Sequence, residues 1–561
     1  MERTEPLGQN DWWATGDTPV RRDSRVNYLV DGRSTMMMMC RHFMTAHAYI
    51  YLANWGMTAD MDLIRGEDHS AGPEGSPERA NLIAELQADG LSNADIQFWL
   101  THELSVKAVL GYAVSKGVEV KVLLWKSPEL FSHNHPGEAQ QELEAVGVTC
   151  LLDDSAMGII HHPVESLHQK ISIVDGRYAF VGGVDPLTEE KGQFDRWDTP
   201  EHRFSTPLRR TESGDTPYPW HDAHAIIEGP AAGDVEYNFR QRWNDLVQRH
   251  HWSEQLLIPA HPNAAPLVSQ STIQIARTIP EHTYQFEPMI VRGIAQHYAA
   301  ALNNIQRFVY LENQYLWLHA FSGIDIPFIG NDNQEMEQNI RLLGDALNRG
   351  ATLSIILPDH PNVGRAFSDA GLQRLRDEAP QAVEEGRLQA FCLATSIKRG
   401  DTEHYRPIYV HAKVAIVDDV WSTVGSANLN NRGMCDDTEE NVAALDSRLA
   451  QELRYLLQGE HLGLVGADDM LYLTRLYAGK RLSRPQEQRA LNIHHYLEGL
   501  LSNPLAALQL MHERAWENLQ RYKAKQPLIG HLLPYLTKAE AEQQELPFRE
   551  EHGWVEEPLP E

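Results

Sequence analysis

The sequence has no Cys-x-x-Cys pair. Its four cysteines, Cys40, Cys150, Cys392 and Cys435, are scattered, which excludes a thiolate zinc cluster and a dithiol redox motif and leaves buried free thiols as the expectation. It also lacks any run of about 18 consecutive apolar residues, so no helix is expected to span a membrane. Basic side chains are in short supply, with 49 Lys and Arg against 78 Asp and Glu and a formal net charge of -29. Proteins that bind nucleic acid non-specifically neutralise phosphates with the opposite surplus, so a nucleic-acid partner is not expected. The first twenty residues carry Glu2, Glu5 and Asp11 but neither the basic flank nor the apolar stretch of a signal peptide, and a cytoplasmic location is the expectation.

What is present fits a globular enzyme-sized chain. With 561 residues, the protein exceeds the roughly 250–300 at which a single core stops growing, so at least two packed units are expected. A hydrophobic fraction of 42% with 23% charged residues matches an ordinary globular composition. The methionine run Met36 to Met39 reads as one turn of a buried helix.

The chain repeats itself once. The stretch that opens His168-Gln-Lys-Ile-Ser-Ile-Val-Asp175 and ends Val-Gly-Gly-Val-Asp185 aligns without a gap on His411-Ala-Lys-Val-Ala-Ile-Val-Asp418 and Val-Gly-Ser-Ala-Asn428. Upstream, apolar β-rich runs at 49–53 and 118–125 in one half match 308–311 and 351–357 in the other. In each half the second run follows a helical stretch ending in glycine, Gly117 or Gly350, where a helix C-cap is expected. Third runs follow at 149–152 and 388–393. Strands alternating with helices predict an α/β protein of two similar α-β-α sandwich lobes related by a pseudo-twofold axis, with a C-terminal helical extension. The expected units are residues 1–260, 261–480 and 481–561, with the prolines of 259–266 forming an extended connector. Segments 65–78 and 186–218 read as long surface loops. The extension has its clearest helices at 490–501 and 504–522, and from Glu545 its acidic, Pro-containing end reads as a mobile tail.

In both repeats lysine follows histidine by two residues, so His168 and Lys170, and likewise His411 and Lys413, share a strand face. Two imidazoles and two ammonium groups suit phosphodiester cleavage by double displacement. One imidazole attacks phosphorus, the other protonates the leaving oxygen, and the ammonium groups hold the phosphoryl oxygens, so no metal and no other cofactor is expected. Asp175 and Asp418 complete each motif and are carried with it as catalytic candidates, although their place beside Gly176 and Asp419 favours a turn-stabilising role. The pair His161-His162 offers a metal-ligand alternative without matched carboxylates or cysteines nearby. The tryptophans at 55, 125, 197, 220, 243 and 317 are expected mainly in the core, with lipid anchoring as the alternative.

These motifs resemble the H-x-K-x-x-x-x-D signature of the phospholipase D superfamily, and the resemblance extends over about residues 25 to 480. Pro219-Trp-His-Asp-Ala-His224, Arg242-Trp-Asn244, Glu312-Asn-Gln-Tyr315 and Gly425-Ser-Ala-Asn428 resemble segments of the large phospholipases D of eukaryotes and some bacteria. The resemblance implies His168 as nucleophile and His411 as general acid, with Lys170, Lys413, Asp185, Asn428 and Ser426 at phosphate-binding positions. It places the acidic groups that orient the histidines at Asp222 and Glu439. The short spacing before Asp437-Thr-Glu439 leaves Glu440 and Asp437 open for the second of these. It implies a phospholipid substrate met at a membrane surface by peripheral contact, yielding phosphatidic acid or an exchanged lipid. A nuclease, a cardiolipin synthase-like transferase and a non-enzymatic scaffold on the same fold are the alternatives. Some bacterial relatives are toxins exported by dedicated secretion machines, which is the alternative to a cytoplasmic location.

Overall fold

The computed structural model describes residues 12–127, 135–156, 165–189, 193–211, 217–287, 289–318, 334–361, 363–550 and 552–556. Each half of the chain builds one sheet. The first has seven strands in the order Arg25–Val30, Ala223–Glu228, Tyr178–Gly182, Ile171–Val174, Tyr49–Asn54, Glu119–Trp125 and Thr149–Asp153. The last three run parallel and the remaining pairs antiparallel. The ten-stranded second sheet repeats this order with Thr272–Ile279, Glu439–Leu445, Trp421–Gly425, Lys413–Val417, Phe308–Asn313, Thr352–Ile356 and Leu388–Arg399. Its extra strands, Val291–Arg292, Thr402–Pro407 and Leu532–Pro534, lie at its margins. The duplication read from the motifs is thus a duplication of strand order.

Parallel strands need crossovers, and helices supply them. Val106–Ser115 precedes Glu119–Trp125, and Gln334–Asn348 precedes Thr352–Ile356. Gly117 and Gly350 follow these helices with φ of 87° and 104°, left-handed values that cost a glycine little. Burial on both faces explains why the central strands are continuously apolar instead of alternating. Helix Asp31–Met44, with Met36 to Met39 buried, covers the outer face of the first sheet. On the inner side, residues of both sheets share one apolar core with helices Pro230–Arg249 and Ser447–His461. Among the described residues no helix is long and apolar enough to cross a membrane.

Two expectations are corrected. Segment 186–218 is not a solvated loop over its described residues, because Trp197, Asp198, His202 and Arg209 are buried. Their charges are matched locally, Arg209 to Asp198 at 3.0 Å and His202 to Glu460 at 2.8 Å, which removes the usual objection to burying such a polar segment. Nor is the chain beyond Glu545 a free tail through residue 556. Trp554 and Val555 are each 1% exposed, and their N–H groups donate to Asp359 at 3.1 and 2.9 Å. Two apolar anchors outweigh the acidic composition around them, burial of such a side chain being worth about 1.5–3 kcal/mol. The extension is also tied into the second sheet, where Leu532–Pro534 pairs with Leu388–Arg399. All four cysteines are free and buried.

Candidate active site

Each motif histidine is held by the backbone of the opposite half. Leu167 bridges Thr438, the His168 N–H donates to the Thr438 carbonyl at 2.9 Å, and the Thr438 N–H donates to Ser166 at 3.0 Å. In the mirrored arrangement Tyr409–Val410 pairs in parallel with Trp220–His221, and the His411 N–H donates to the His221 carbonyl at 2.8 Å. One residue beyond each contact comes a carboxyl group. Glu439 engages His168 Nδ1 at 2.9 and 3.1 Å, and Asp222 engages His411 Nδ1 at 2.7 Å. With Nδ1 so occupied, Nε2 of each ring is left for a substrate. The carboxyl group opposite His168 is therefore Glu439. Glu440 instead accepts from Asn238, and Asp437 from the Ser166 N–H and from Arg432.

The lysines converge from both halves. Burial, then Lys170, Lys413, His411 and Arg432, hold His168 well below the usual histidine range; burial, Lys413, Lys170 and Arg196 do the same to His411. Both rings are thereby neutral near pH 7, and each senses both ammonium groups. Burial pushes Lys413 itself down to about 7, with Asp222 pulling the other way and Lys170 adding to the drop. Lys170 Nζ donates to the His168 carbonyl at 2.8 Å and lies 3.2 Å from Asp185. Lys413 Nζ donates to the His411 carbonyl and to Gln314 Oε1, the latter at 3.1 Å.

Several residues stand elsewhere than the motif suggested. Asp175 is not at the reacting centre, because its carboxylate accepts the N–H groups of His47, Ala48 and Tyr49 at 2.8–2.9 Å. Asp418 does the same for Gln306, Arg307 and Phe308 at 2.7–2.8 Å. Both sit at positive φ, 52° and 54°, and tie the strand end to the start of its neighbour, which is a structural task. Ser426 does not offer its hydroxyl to a phosphate. It is fully buried and donates to Glu439 at 2.5 Å while accepting the Glu440 N–H at 3.0 Å. Its counterpart Gly183 serves the opposite carboxyl group by leaving room, since a Cβ there would lie 2.0 Å from Asp222 Oδ1. Asp185 is committed to Lys170 and to Asn54 Nδ2 at 3.1 Å, so it is a partner of the lysine and not a phosphate donor. Asn428 lies beside Gln314, donating to its Oε1 at 3.2 Å, with its own Oδ1 buried and without a partner.

Gln314 was missed as a site residue, although it stands in the Glu312-Asn-Gln-Tyr315 segment. Its amide accepts from Lys413 and Asn428 and donates to Tyr409 at 2.7 Å and Tyr315 at 3.0 Å. Arg196 was also missed; its guanidinium lies 4.1 Å over the Trp220 ring, which itself lies 4.8 Å from the His411 ring. No spacing rule reveals either, because both reach the site from segments outside the motifs. The tryptophans at 125, 197, 220, 243 and 317 are buried, and Trp55 is half-buried with Lys170 Nζ 6.0 Å from its ring. The His161-His162 pair lies outside the described residues. A different set has the composition to hold a cation. Asp31, His202, His221 and Glu460 are all buried and bring ligand atoms within 4.8 Å of one another, with one oxygen each of Asp31 and Glu460 free of hydrogen-bond partners.

Chemically, two imidazole Nε2 atoms, each backed by a carboxyl group, and two ammonium groups can bind a tetrahedral anion and exchange protons with its substituents. Comparison with known proteins agrees in kind. Residues 102–321 match the family described as Phospholipase D, and residues 323–459 match the family described as Cardiolipin synthase, PLD-like domain. The chain is 26% identical over 445 residues to the phospholipase D alpha 1 of Zea mays, covering 61% of this chain and 54% of that one. It is 25% identical over 548 residues to the phospholipase D alpha 1 of Ricinus communis, covering 77% and 64%. The chain therefore spans between about half and two thirds of the length of these relatives. Among solved structures, a phosphatidylserine synthase from Haemophilus influenzae is similar over 90% of this chain and 95% of its own, at 13% identity and a TM-score of 0.40.

Proposed function

Because the chain belongs to the phospholipase D superfamily, we propose that it is a phosphodiesterase that cleaves the head-group ester of glycerophospholipids through a phosphohistidine. The observation that carries this reading is the convergence of the halves: each histidine is oriented by a carboxyl group of the opposite half and feels both lysines. His168 Nε2 forms the bond to phosphorus as the bond to the head-group oxygen breaks, and His411 supplies that oxygen with a proton. Burial, Lys413 and Lys170 hold His411 well below the usual histidine range. The incoming phosphate anion offsets the ammonium part of that effect and favours the charged ring, which takes from solvent the proton it must give. In the second step neutral His411 takes a proton from water, whose oxygen displaces His168, giving phosphatidic acid. An alcohol in place of that water gives an exchanged lipid.

A panel of phospholipids assayed with and without ethanol identifies substrate and acceptor together, and failure to turn over any glycerophospholipid contradicts the proposal. The roles of the two rings separate with a p-nitrophenyl phosphodiester, whose leaving group needs no proton. There His411→Asn still permits attack but slows the second step, so phosphate accumulates on His168, whereas His168→Asn forms no adduct. Adduct mapped to His411 reverses the two roles.

A further inference from the structure

The two halves give their lysines different partners at equivalent places. Ile50 pairs with Val174 and Val309 with Val417, so sheet register makes Asn54 equivalent to Asn313 and Trp55 to Gln314. The motif alignment makes Asp185 equivalent to Asn428. In the first half the ammonium of Lys170 meets the Asp185 carboxylate at 3.2 Å and the face of Trp55. In the second half the ammonium of Lys413 meets amides only, Gln314 Oε1 directly at 3.1 Å and Asn428 through it. The remaining charged groups around the phosphate position do not separate the halves. Each histidine has one carboxyl group, Glu439 or Asp222, and each flanking arginine has its own acid, Arg432 with Asp437 at 2.9 Å and Arg196 with Glu189 at 2.5 Å. One of the two lysines therefore has a carboxylate in contact with its ammonium, and the other has only amides.

We propose that Asp185 sets the charge of the phosphate subsite, so that it fits the single negative charge of a phosphodiester and discriminates against the two charges of a phosphomonoester. The inference rests on the phosphodiesterase reading and names the charge class its site accepts. Asp185 is 2% exposed and Lys170 is 1% exposed, so water does little to weaken their interaction. With an unopposed second ammonium, a dianion would gain a full additional attraction that a monoanion would not. Hydrolysis turns a monoanionic diester into a monoester that is dianionic near neutral pH, the second phosphate pKa being near 6. A site matched to a single charge thus binds substrate without trapping product. The drop of Lys413 to about 7 fits the same picture, because an ammonium without a carboxylate in contact is the one an arriving anion must stabilise.

The test is binding of methyl phosphate and dimethyl phosphate to the full chain, followed by calorimetry at about pH 7.5, where the former is a dianion and the latter a monoanion. The wild-type protein should bind the two within about tenfold of each other. Asp185→Asn, which makes the first half resemble the second, should tighten methyl phosphate about tenfold or more and dimethyl phosphate distinctly less. Asn428→Asp, the mirror change, should weaken both and methyl phosphate more, so the proposal stays open to refutation if Asp185→Asn does not fold. An unchanged ratio in the folded variants, or a wild-type preference for the dianion of about a hundredfold or more, overturns it. Neither probe is a lipid. Failure to cleave phospholipids would leave these affinities readable, and an active phospholipase with an unchanged ratio would sink the charge inference alone.

Discussion

At the scale of the residue, the site depends on which atom of each imidazole is occupied. Asp222 and Glu439 are fully buried and hold Nδ1, so the ring can turn only Nε2 to a substrate. Replacing either by its amide keeps the volume but lets an NH2 group face Nδ1, which then accepts and drives the proton to Nε2, the wrong atom for attack. Asp222→Asn and Glu439→Gln should each lower turnover by about 10²- to 10⁴-fold at unchanged fold. The check is the rate on a p-nitrophenyl phosphodiester beside a near-ultraviolet dichroism spectrum, and a folded variant within threefold of wild type, on the order of experimental scatter, contradicts the dyads. His168, Lys170, His411 and Lys413 were legible from the motif repeated in register, although His168, Lys170 and His411 stand just before the strands Ile171–Val174 and Lys413–Val417 and not on a strand face as the two-residue spacing suggested. Asp175 and Asp418 share the motif but not the centre: the strand between carries them to its far end, where three backbone N–H groups await each carboxylate.

At the scale of the element, the strands announced themselves by apolar runs, and the observed bounds differ from the expected ones mostly by a residue or two. Leu388–Arg399 is the exception, running well past 393 because Thr402–Pro407 folds back on it. Long-range docking was not legible. The segment before residue 556 reads as acidic and mobile, yet Asp359 receives the N–H groups of Trp554 and Val555, and the buried Arg365 bonds both Asp359 at 2.7 Å and the Leu536 carbonyl at 2.6 Å. The same loop reaches the site, since Tyr409 donates to the Pro361 carbonyl at 3.3 Å and receives Gln314. Asp359→Ala leaves the buried guanidinium of Arg365 with the Asp369 carboxylate alone, at 3.2 Å, and takes the acceptor from the Trp554 and Val555 N–H groups, so it should cost about 1–3 kcal/mol of stability, measured by urea unfolding. A loss below about 1 kcal/mol would show that the docking of this segment does not depend on Asp359.

At the scale of the whole molecule, the halves are held together by apolar burial and by charge. His202 is pushed up to about 10, because Asp31, Asp198 and Glu460 outweigh the burial that alone would lower it. Its folded value exceeds the unfolded one, so this contribution to stability is complete below about pH 6.5 and is lost as the pH rises through about 10. His221 links Asp31 of the first half to Glu312 of the second at 3.1 and 2.8 Å. A fragment ending near residue 260 keeps His168 and Lys170 but loses Glu439, His411 and Lys413, so it should show no turnover of the p-nitrophenyl phosphodiester. A monomeric fragment that works at a rate comparable to the full chain would mean that one half suffices.

The sequence by itself determined the duplicated α/β architecture and the identity of the two histidines and two lysines. Those follow from local signals, the apolar runs of the strands and the repetition of a motif in register. It also narrowed the acids opposite the histidines without choosing among Asp437, Glu439 and Glu440. Only the tertiary structure chose, because the choice depends on the register in which Thr438 meets Leu167, a contact between residues 271 apart in the chain. Gln314 at Lys413, Ser426 at Glu439 and Asp185 at Lys170 meet instead within one half, at the ends of neighbouring strands of a single sheet. Each partner there is fixed by which strands pair and in what register, and no spacing along the chain encodes that choice.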